Sequence, residues 1–350
     1  MIVDDSLTVR TIFKRMVESD QSLTVVATAS SAERALSELR AHNKASEVDV
    51  ILLDLEMPGM GGLEALPAIL QTAEQAQVLV VSSLTEDGAE ATLSALSMGA
   101  ADTMPKPRPG GFNEDYRSQL LGKIRALGSA ELDDASASDE ARAQPPAAPL
   151  RKVTSPRPEV VAIGASTGGI HALNLLLRAL PTDFTLPILI TQHLPASFIP
   201  VFARQVEMAC DRRTQIAEDG TVIGRGEIGI ATGHGHMLVR RESKRLICRV
   251  SAEPARSGCL PSVDPMLASA AEAFEGRVLA VILSGMGRDG IEGASKVVDQ
   301  GGTVMAQDAA SSAVWGMPGA VTNAGLTSLV APPEQLAEAI LAHSLAVASR

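Results

Sequence analysis

Aromatic side chains are scarce in this chain: six Phe, one Trp and one Tyr amount to 2% of 350 residues. Proteins that grip single-stranded nucleic acid stack bases on such rings, and few are on offer. Positive charge is short as well, with 30 Lys and Arg against 41 Asp and Glu and a net charge of −11. A nucleic-acid surface therefore has no electrostatic support, and no nucleic-acid partner is expected. There are three cysteines, Cys210, Cys248 and Cys259. The number is odd and no C-x-x-C spacing occurs, which points to reduced thiols in a cytosolic protein and not to a disulfide frame. No signal peptide is present and no apolar run reaches the length of a membrane span, so a cytoplasmic location without membrane insertion is expected. What the chain does have is a 45% hydrophobic fraction, ample for real cores in one to three domains.

The first half alternates β-rich apolar runs with helix-forming segments. Met1–Val3, Thr24–Ala27, Val48–Leu53, Gln77–Val81 and Ala101–Met104 read as strands. Leu7–Val17, Ser31–Ala41 and Ala89–Leu96 read as helices. Such alternation predicts a parallel sheet covered on both faces, whose ligand sites lie beyond the C-terminal strand ends. Asp4, Asp5, Asp54, Ser82 and Lys106 all fall there. Three converging carboxylates repel one another unless a cation joins them, and Mg²⁺ takes oxygen ligands and pairs with phosphoryl groups. An Asp beside Mg²⁺ can attack a phosphoryl donor, while a lysine and a hydroxyl can hold the transferred group.

Asp4-Asp5, the run Leu52-Leu53-Asp54-Leu55-Glu56-Met57-Pro58-Gly59, the Val81-Ser82-Ser83 end and Lys106-Pro107 occur in the order seen in response-regulator receiver domains. Residues 1–126 resemble that family, which implies a flavodoxin-like fold with a five-stranded parallel sheet. The resemblance also implies Asp54 as phosphoacceptor, Ser82 and Lys106 as phosphoryl-binding residues, and a Mg²⁺ site made by Asp4, Asp5, Asp54 and the carbonyl of Glu56. Lys106-Pro107 is often a cis peptide in that family, at low intrinsic cost for an X-Pro bond. Two departures stand out. The first strand is short, and Thr103 stands where many receivers carry an aromatic switch residue.

Residues 127–158 change character. The run Glu131–Glu140 holds five acids and no base, and is followed by Pro-rich sequence. It cannot bury a core and reads as a disordered, partly extended linker.

From Glu159 the alternation resumes. The apolar run Val160–Ile163 leads into Gly164-Ala165-Ser166-Thr167-Gly168-Gly169, and then into a helical segment. A strand, a glycine bend and a helix put Ser166 on a sharp turn beside helix-start N–H groups, which can bind an anion or a developing oxyanion. The letters fit G-x-S-x-G, although a glycine turn with a capping serine fits them equally well. His193 follows the strand Leu186–Gln192, and Asp289 follows Val278–Ser284. A histidine can take the Ser166 proton and a carboxylate can hold its tautomer. Asp264 and Asp308 rival Asp289 for that place. The chain order Ser, His, Asp differs from the Ser, Asp, His order of α/β-hydrolases, so that fold is not expected. Residues 213–252 suggest a small antiparallel insertion of short strands, Ile228–Thr232 among them.

The segments Ile163-Gly164-Ala165-Ser166-Thr167-Gly168-Gly169, Gln192-His193-Leu194-Pro195, Pro261-Ser262-Val263-Asp264, Leu283-Ser284-Gly285-Met286-Gly287-Arg288-Asp289-Gly290, Ala306-Gln307-Asp308 and Trp315-Gly316-Met317-Pro318 resemble the catalytic domain of the CheB family of chemotaxis methylesterases. The resemblance covers residues 159–350 and implies a doubly wound parallel α/β domain. It makes Ser166 the nucleophile, His193 the base and Asp289 the orienting acid, with Thr167, Met286 and His236 around the oxyanion site and cleft. It further implies demethylation of glutamate methyl esters, and deamidation of glutamines, on methyl-accepting chemoreceptors. A CheA-type histidine kinase would phosphorylate Asp54, and the unphosphorylated receiver would cover the active-site edge. No cofactor is expected in the second domain, since the His234-Gly235-His236 pair has no evident third ligand. The rival reading is a receptor-docking module without turnover, which labelling of Ser166 by a fluorophosphonate would exclude.

Overall fold

Continuous β-branched runs bury both faces of a strand, and in a computed structural model of the chain they form two separate parallel sheets. The structure describes residues 1–83, 86–107, 111–128, 150–151, 156–243 and 245–345, in two compact units divided between Ser138 and Asp139. Most of the expected linker, 129–149 and 152–155, lies outside the described residues. Its first two positions instead end a helix, and near its other end the Arg151 N–H donates to the Thr327 carbonyl at 2.9 Å.

The first unit runs β1 (Ile2–Val3), α1 (Leu7–Glu18), β2 (Thr28–Ala29), α2 (Ala32–Arg40), β3 (Val50–Asp54), α3 (Gly62–Thr72), β4 (Gln77–Ser82), α4 (Glu86–Met98), β5 (Asp102–Pro105) and α5 (Glu114–Gly128). The strand order is β2-β1-β3-β4-β5, and every pair is parallel. All five residues of β3 are buried, as a central parallel strand requires. Ser6 and Ser31 cap α1 and α2 by accepting from Val9 and Arg34, contacts of about 1 kcal/mol each. The second strand lies later than its Val-rich segment suggested. β1 offers two residues of pairing edge, in register with Thr28 and Ala29, so Ala27 contributes only its carbonyl, to the Ile2 N–H at 3.1 Å, and Thr24–Val26 gain no ladder and stay irregular. Among the described residues the cis peptide bond falls at Leu260–Pro261 and not at Lys106–Pro107. Helix α3 was not expected, although its apolar face (Ala65, Leu66, Ile69) is buried.

The second unit runs β6 (Val160–Ala165), α6 (Gly169–Ala179), β7 (Ile188–Gln192), α7 (Ile199–Cys210), β8 (Thr214–Ile216), β9 (Val222–Ile223), β10 (Ile228–Ile230), β11 (His236–Glu242), β12 (Arg245–Ser251), α8 (Val263–Ala273), β13 (Val278–Ile282), α9 (Ile291–Asp299), β14 (Thr303–Gln307), α10 (Met317–Asn323), β15 (Leu329–Ala331) and α11 (Pro333–Leu345). Residues 346–350, where the last helix was expected to continue, lie outside the described residues. Seven strands form one sheet in the order β15-β14-β13-β6-β7-β10-β8, all pairs parallel. The antiparallel insertion is real but smaller than expected, with strands β11-β12-β9 only. β8 and β10 extend the main sheet instead. Ile228, Gly229 and Ile230 are buried in succession, the pattern of a strand covered on both faces, and a run that short carries no sign of its direction.

The chain winds from β6 toward β7 on one side and returns through β13 toward β14 on the other. That reversal falls between β13 and β6, whose C-terminal ends are where such sheets bind ligands, and α8 packs Val263, Met266 and Leu267 into the core.

Candidate active site

Ser166 and His193 arrive side by side because their strands run in register. Ala165 pairs with Gln192, so the next residues of β6 and β7 are neighbours, about 5 Å apart across a parallel ladder. The His193 N–H donates to the Ala165 carbonyl at 3.0 Å, and the Gln192 amide donates to the Ser166 carbonyl at 2.9 Å. On the other flank, Ser166 N–H donates to the Ser284 carbonyl at 3.0 Å. Gly168 takes φ +75°, which side-chain-bearing residues rarely adopt, and a Cβ there would meet the Ser284 hydroxyl at 2.6 Å. A Cβ on Gly285 would stand 2.9 Å from that of Ser166. The glycines let the serine turn and the β13 loop close on each other.

Among the three acids weighed from sequence, Asp289 meets the imidazole. His193 Nε2 donates to Asp289 Oδ2 at 2.8 Å. Asp289 is 2% exposed, and also accepts from the Ser262 hydroxyl at 2.6 Å and the Val263 N–H at 2.7 Å. Burial alone would raise its pKa, but these three donors hold it well below the usual carboxylate range. Burial likewise opposes a charged imidazole, yet the Asp289 bond and the neighbouring Cys259 thiol outweigh it and push His193 up to about 9. With Nε2–H committed to Asp289, the lone pair of the neutral ring is on Nδ1. The Ser166 hydroxyl makes no hydrogen bond to the ring, so the row is closed between His193 and Asp289 and open between Ser166 and His193. Catalytic contacts commonly tighten only with substrate bound.

The rival acids have other work. Asp308 accepts from the Ser311 N–H and hydroxyl in a local turn. Asp264 accepts from the Gly293 N–H at 2.8 Å; burial and the nearby Asp289 charge push it up to about 6.

His236 is 2% exposed and backs the cleft without lining it. Its Nδ1 accepts from the Ser262 N–H at 2.9 Å, so it fixes the residue that donates to Asp289. His234 is exposed beside Glu218, and the two histidines do not converge. Thr167 turns its carbonyl inward to the Ser284 hydroxyl at 2.7 Å. Met286 is 45% exposed on the β13 loop, and its backbone N–H donates to no group among the described residues. Gln307 accepts from Ser284 N–H at 2.8 Å and pins that loop. Sequence reasoning missed the roles of Ser262, Gln192 and Gln307, although each sits in a segment that carried the resemblance.

The second cluster lies in the first unit. Carboxylate oxygens of Asp4, Asp5 and Asp54 come within 4.8 Å of one another. Lys106 Nζ stands 2.5 Å from Asp54 Oδ2 and 3.7 Å from Asp4 Oδ2, and Glu56 N–H donates to Asp54 Oδ1 at 2.9 Å. The Glu56 carboxylate accepts from Ser83. Burial, opposed by Lys106 and by the Glu56 N–H, pushes Asp54 up to about 6; burial also raises Asp4. Asp4 Oδ2 is buried without a hydrogen-bond partner. An all-oxygen donor set with an orphaned carboxylate oxygen fits a hard divalent cation such as Mg²⁺. The Ser82 hydroxyl faces Thr92 Oγ1 at 2.5 Å, and Thr92 in turn donates to the Gly88 carbonyl. Ser82 is therefore turned into α4 and not committed to Asp54.

Comparison with known proteins agrees with this division. A family profile described as CheB methylesterase matches residues 161–340, and one described as response regulator receiver domain matches residues 1–111. A protein-glutamate methylesterase/protein-glutamine glutaminase of Azospirillum brasilense is 41% identical over 96% of this chain and 90% of its own length. A Caulobacter vibrioides protein of the same designation, number 2, is 41% identical over 99% of both chains. The crystal structure of the Thermotoga maritima CheB methylesterase catalytic domain superposes with a TM-score of 0.51 at 34% identity, covering 53% of this chain and 97% of that one. Among the described residues, no helix is long and apolar enough to cross a membrane.

Proposed function

This chain belongs to the CheB methylesterase family, and on that premise we propose that it is a phosphorylation-controlled serine esterase acting on glutamyl methyl esters of chemoreceptor cytoplasmic domains, and on receptor glutamines. The observation that carries the reading is the 2.8 Å His193–Asp289 hydrogen bond at the end of the strand adjoining Ser166.

In this reading Ser166 Oγ attacks the ester carbonyl carbon while His193 Nδ1 takes the hydroxyl proton. Asp289 stabilises the imidazolium that forms, without itself being protonated. The new oxyanion is held by backbone N–H groups of the Thr167 and Met286 turns. Collapse breaks the carbon–methoxy bond, and His193 returns its proton to release methanol. Water then attacks the acyl-enzyme, His193 again takes a proton, and Ser166 is regenerated beside a glutamate carboxylate. With glutamine as substrate the leaving group is ammonia. The Ser166 hydroxyl must swing to the ring for the first step.

Control rests with the first unit. Asp54 accepts a phosphoryl group from a CheA-type histidine kinase, with Lys106 neutralising the added charge and Ser82 rotating off Thr92 to bond a phosphoryl oxygen. Asp4, Asp5, Asp54 and the Glu56 carbonyl would hold Mg²⁺, which supplies charge neutralisation for the transfer. Phosphorylation then shifts the population toward an uncovered esterase. We place the protein in the cytoplasm, where both partners present their reactive domains. Domain limits of 1–126, extended to the end of α5 at Gly128, and 159–350 with a tether between suit this arrangement. Methanol release from methyl-labelled receptor membranes, with and without a phosphodonor, tests the proposal: release should require Ser166, and stimulation should require Asp54.

A further inference from the structure

Cys259 has no part in the scheme above, yet it stands in the middle of the site. It belongs to the loop between β12 and α8 that also carries Ser262, the Asp289 donor. Its sulfur, a ring nitrogen of His193 and a carboxylate oxygen of Asp289 all lie within 4.8 Å of one another. A thiol, an imidazole and a carboxylate are the donor set of tetrahedral zinc sites. Bond lengths of about 2.0–2.3 Å put such ligand atoms roughly 3.3–3.7 Å apart around the ion. From within 4.8 Å of one another the three atoms need to close by at most about 1.5 Å to reach that spacing. The loop leaves room for entry: Cys259 is only half-buried, a Cβ on the preceding Gly258 would meet nothing within 4 Å, and Leu260 beside it is 54% exposed. A fourth position is left for water to complete the shell. The all-oxygen cluster of the first unit prefers hard cations; this one, with sulfur and nitrogen, prefers soft ones.

We propose that His193, Asp289 and Cys259 form an inhibitory site for a soft divalent cation, zinc being the physiological candidate, which locks the histidine–aspartate pair away from Ser166. Binding takes an imidazole lone pair and a thiolate, and releases the displaced protons to solvent. The ion is a regulator and no step of ester hydrolysis passes through it.

The test uses the full-length protein, with Co²⁺ as the spectroscopic probe and Zn²⁺ as the inhibitor. Co²⁺ should give a stoichiometric thiolate-to-metal charge-transfer band, displaced by Zn²⁺ and lost in both Cys259→Ser and Cys259→Ala. The receiver cluster, having oxygen ligands only, gives no such band. Zn²⁺ should slow fluorophosphonate labelling of Ser166 by roughly tenfold or more, reversibly by chelator, and by less than about twofold in Cys259→Ser, each variant being compared with its own chelated state. Absence of the band, its persistence in the Cys259 variants, or equal slowing in wild type and Cys259→Ser would overturn the proposal. If Ser166 takes no label at all, the esterase reading fails while the cobalt band still decides the metal site.

Discussion

The two sheet edges solve opposite electrostatic problems with the same architecture. At the receiver edge, Asp4 and Asp54 are buried together and both are pushed toward their protonated forms. One lysine serves both, and Asp4 Oδ2, 3.7 Å from it, has no hydrogen bond. At the esterase edge, the buried Asp289 has three donors, and its charge is held in place before any substrate arrives. In the proposed function a cation and a phosphoryl group complete the first edge. The second is preorganised, which suits the role proposed for it of stabilising a transient imidazolium.

The contrast breaks most visibly at Asp289. Asp289→Asn keeps the shape and removes the charge, and should lower kcat/KM by about 10³–10⁴-fold, with folding retained. Methanol release by the purified variant measures this, and a loss below about tenfold would mean that the acid does not act on the histidine.

The ring pKa gives the next effect. A histidine base works only when unprotonated, and against burial Asp289 and Cys259 together raise His193 to about 9. Activity should therefore fall about tenfold per pH unit below that value. In Asp289→Asn the same limb should move down toward the ordinary histidine pKa. A wild-type profile already flat at neutral pH would show that the ring is not held as described.

Much of this contrast was legible before the fold. Apolar runs ending in Asp4, Asp54, Ser82, Ser166 and His193 marked strand ends, and a parallel sheet gathers strand ends on one edge. The choice among Asp264, Asp289 and Asp308 was not legible, because all three follow or precede apolar segments and only packing aims one of them at the ring. The role of Ser262 was hidden for a similar reason, and His236, placed at the cleft by resemblance, turned out to hold Ser262: both bear on Asp289 at a distance no spacing rule covers. The direction of β10 depended on partners from β7 and β8, and the position of β2 on the short edge that β1 provides. Cys259 carried no motif, so only its place in space drew it out.

The receiver edge gives the smallest effect. An acid whose folded pKa is raised from 3.8 to about 6 favours the folded state while protonated, and that contribution is lost as pH rises through this window. Millimolar Mg²⁺ should therefore raise the receiver transition of the full chain by a few degrees at neutral pH and by less near pH 5. Asp54→Asn should shrink the difference between the two pH values in differential scanning calorimetry. A Mg²⁺ shift independent of pH would place the cation elsewhere.

The central claim is that Ser166, served by His193 and Asp289, cleaves receptor methyl esters under the control of Asp54. Methanol release from methyl-labelled receptor membranes tests it directly. Wild type should release methanol and speed up with a phosphodonor, Asp54→Ala should keep only the basal rate, and Ser166→Ala should release none. Release by Ser166→Ala at the wild-type rate would contradict the account.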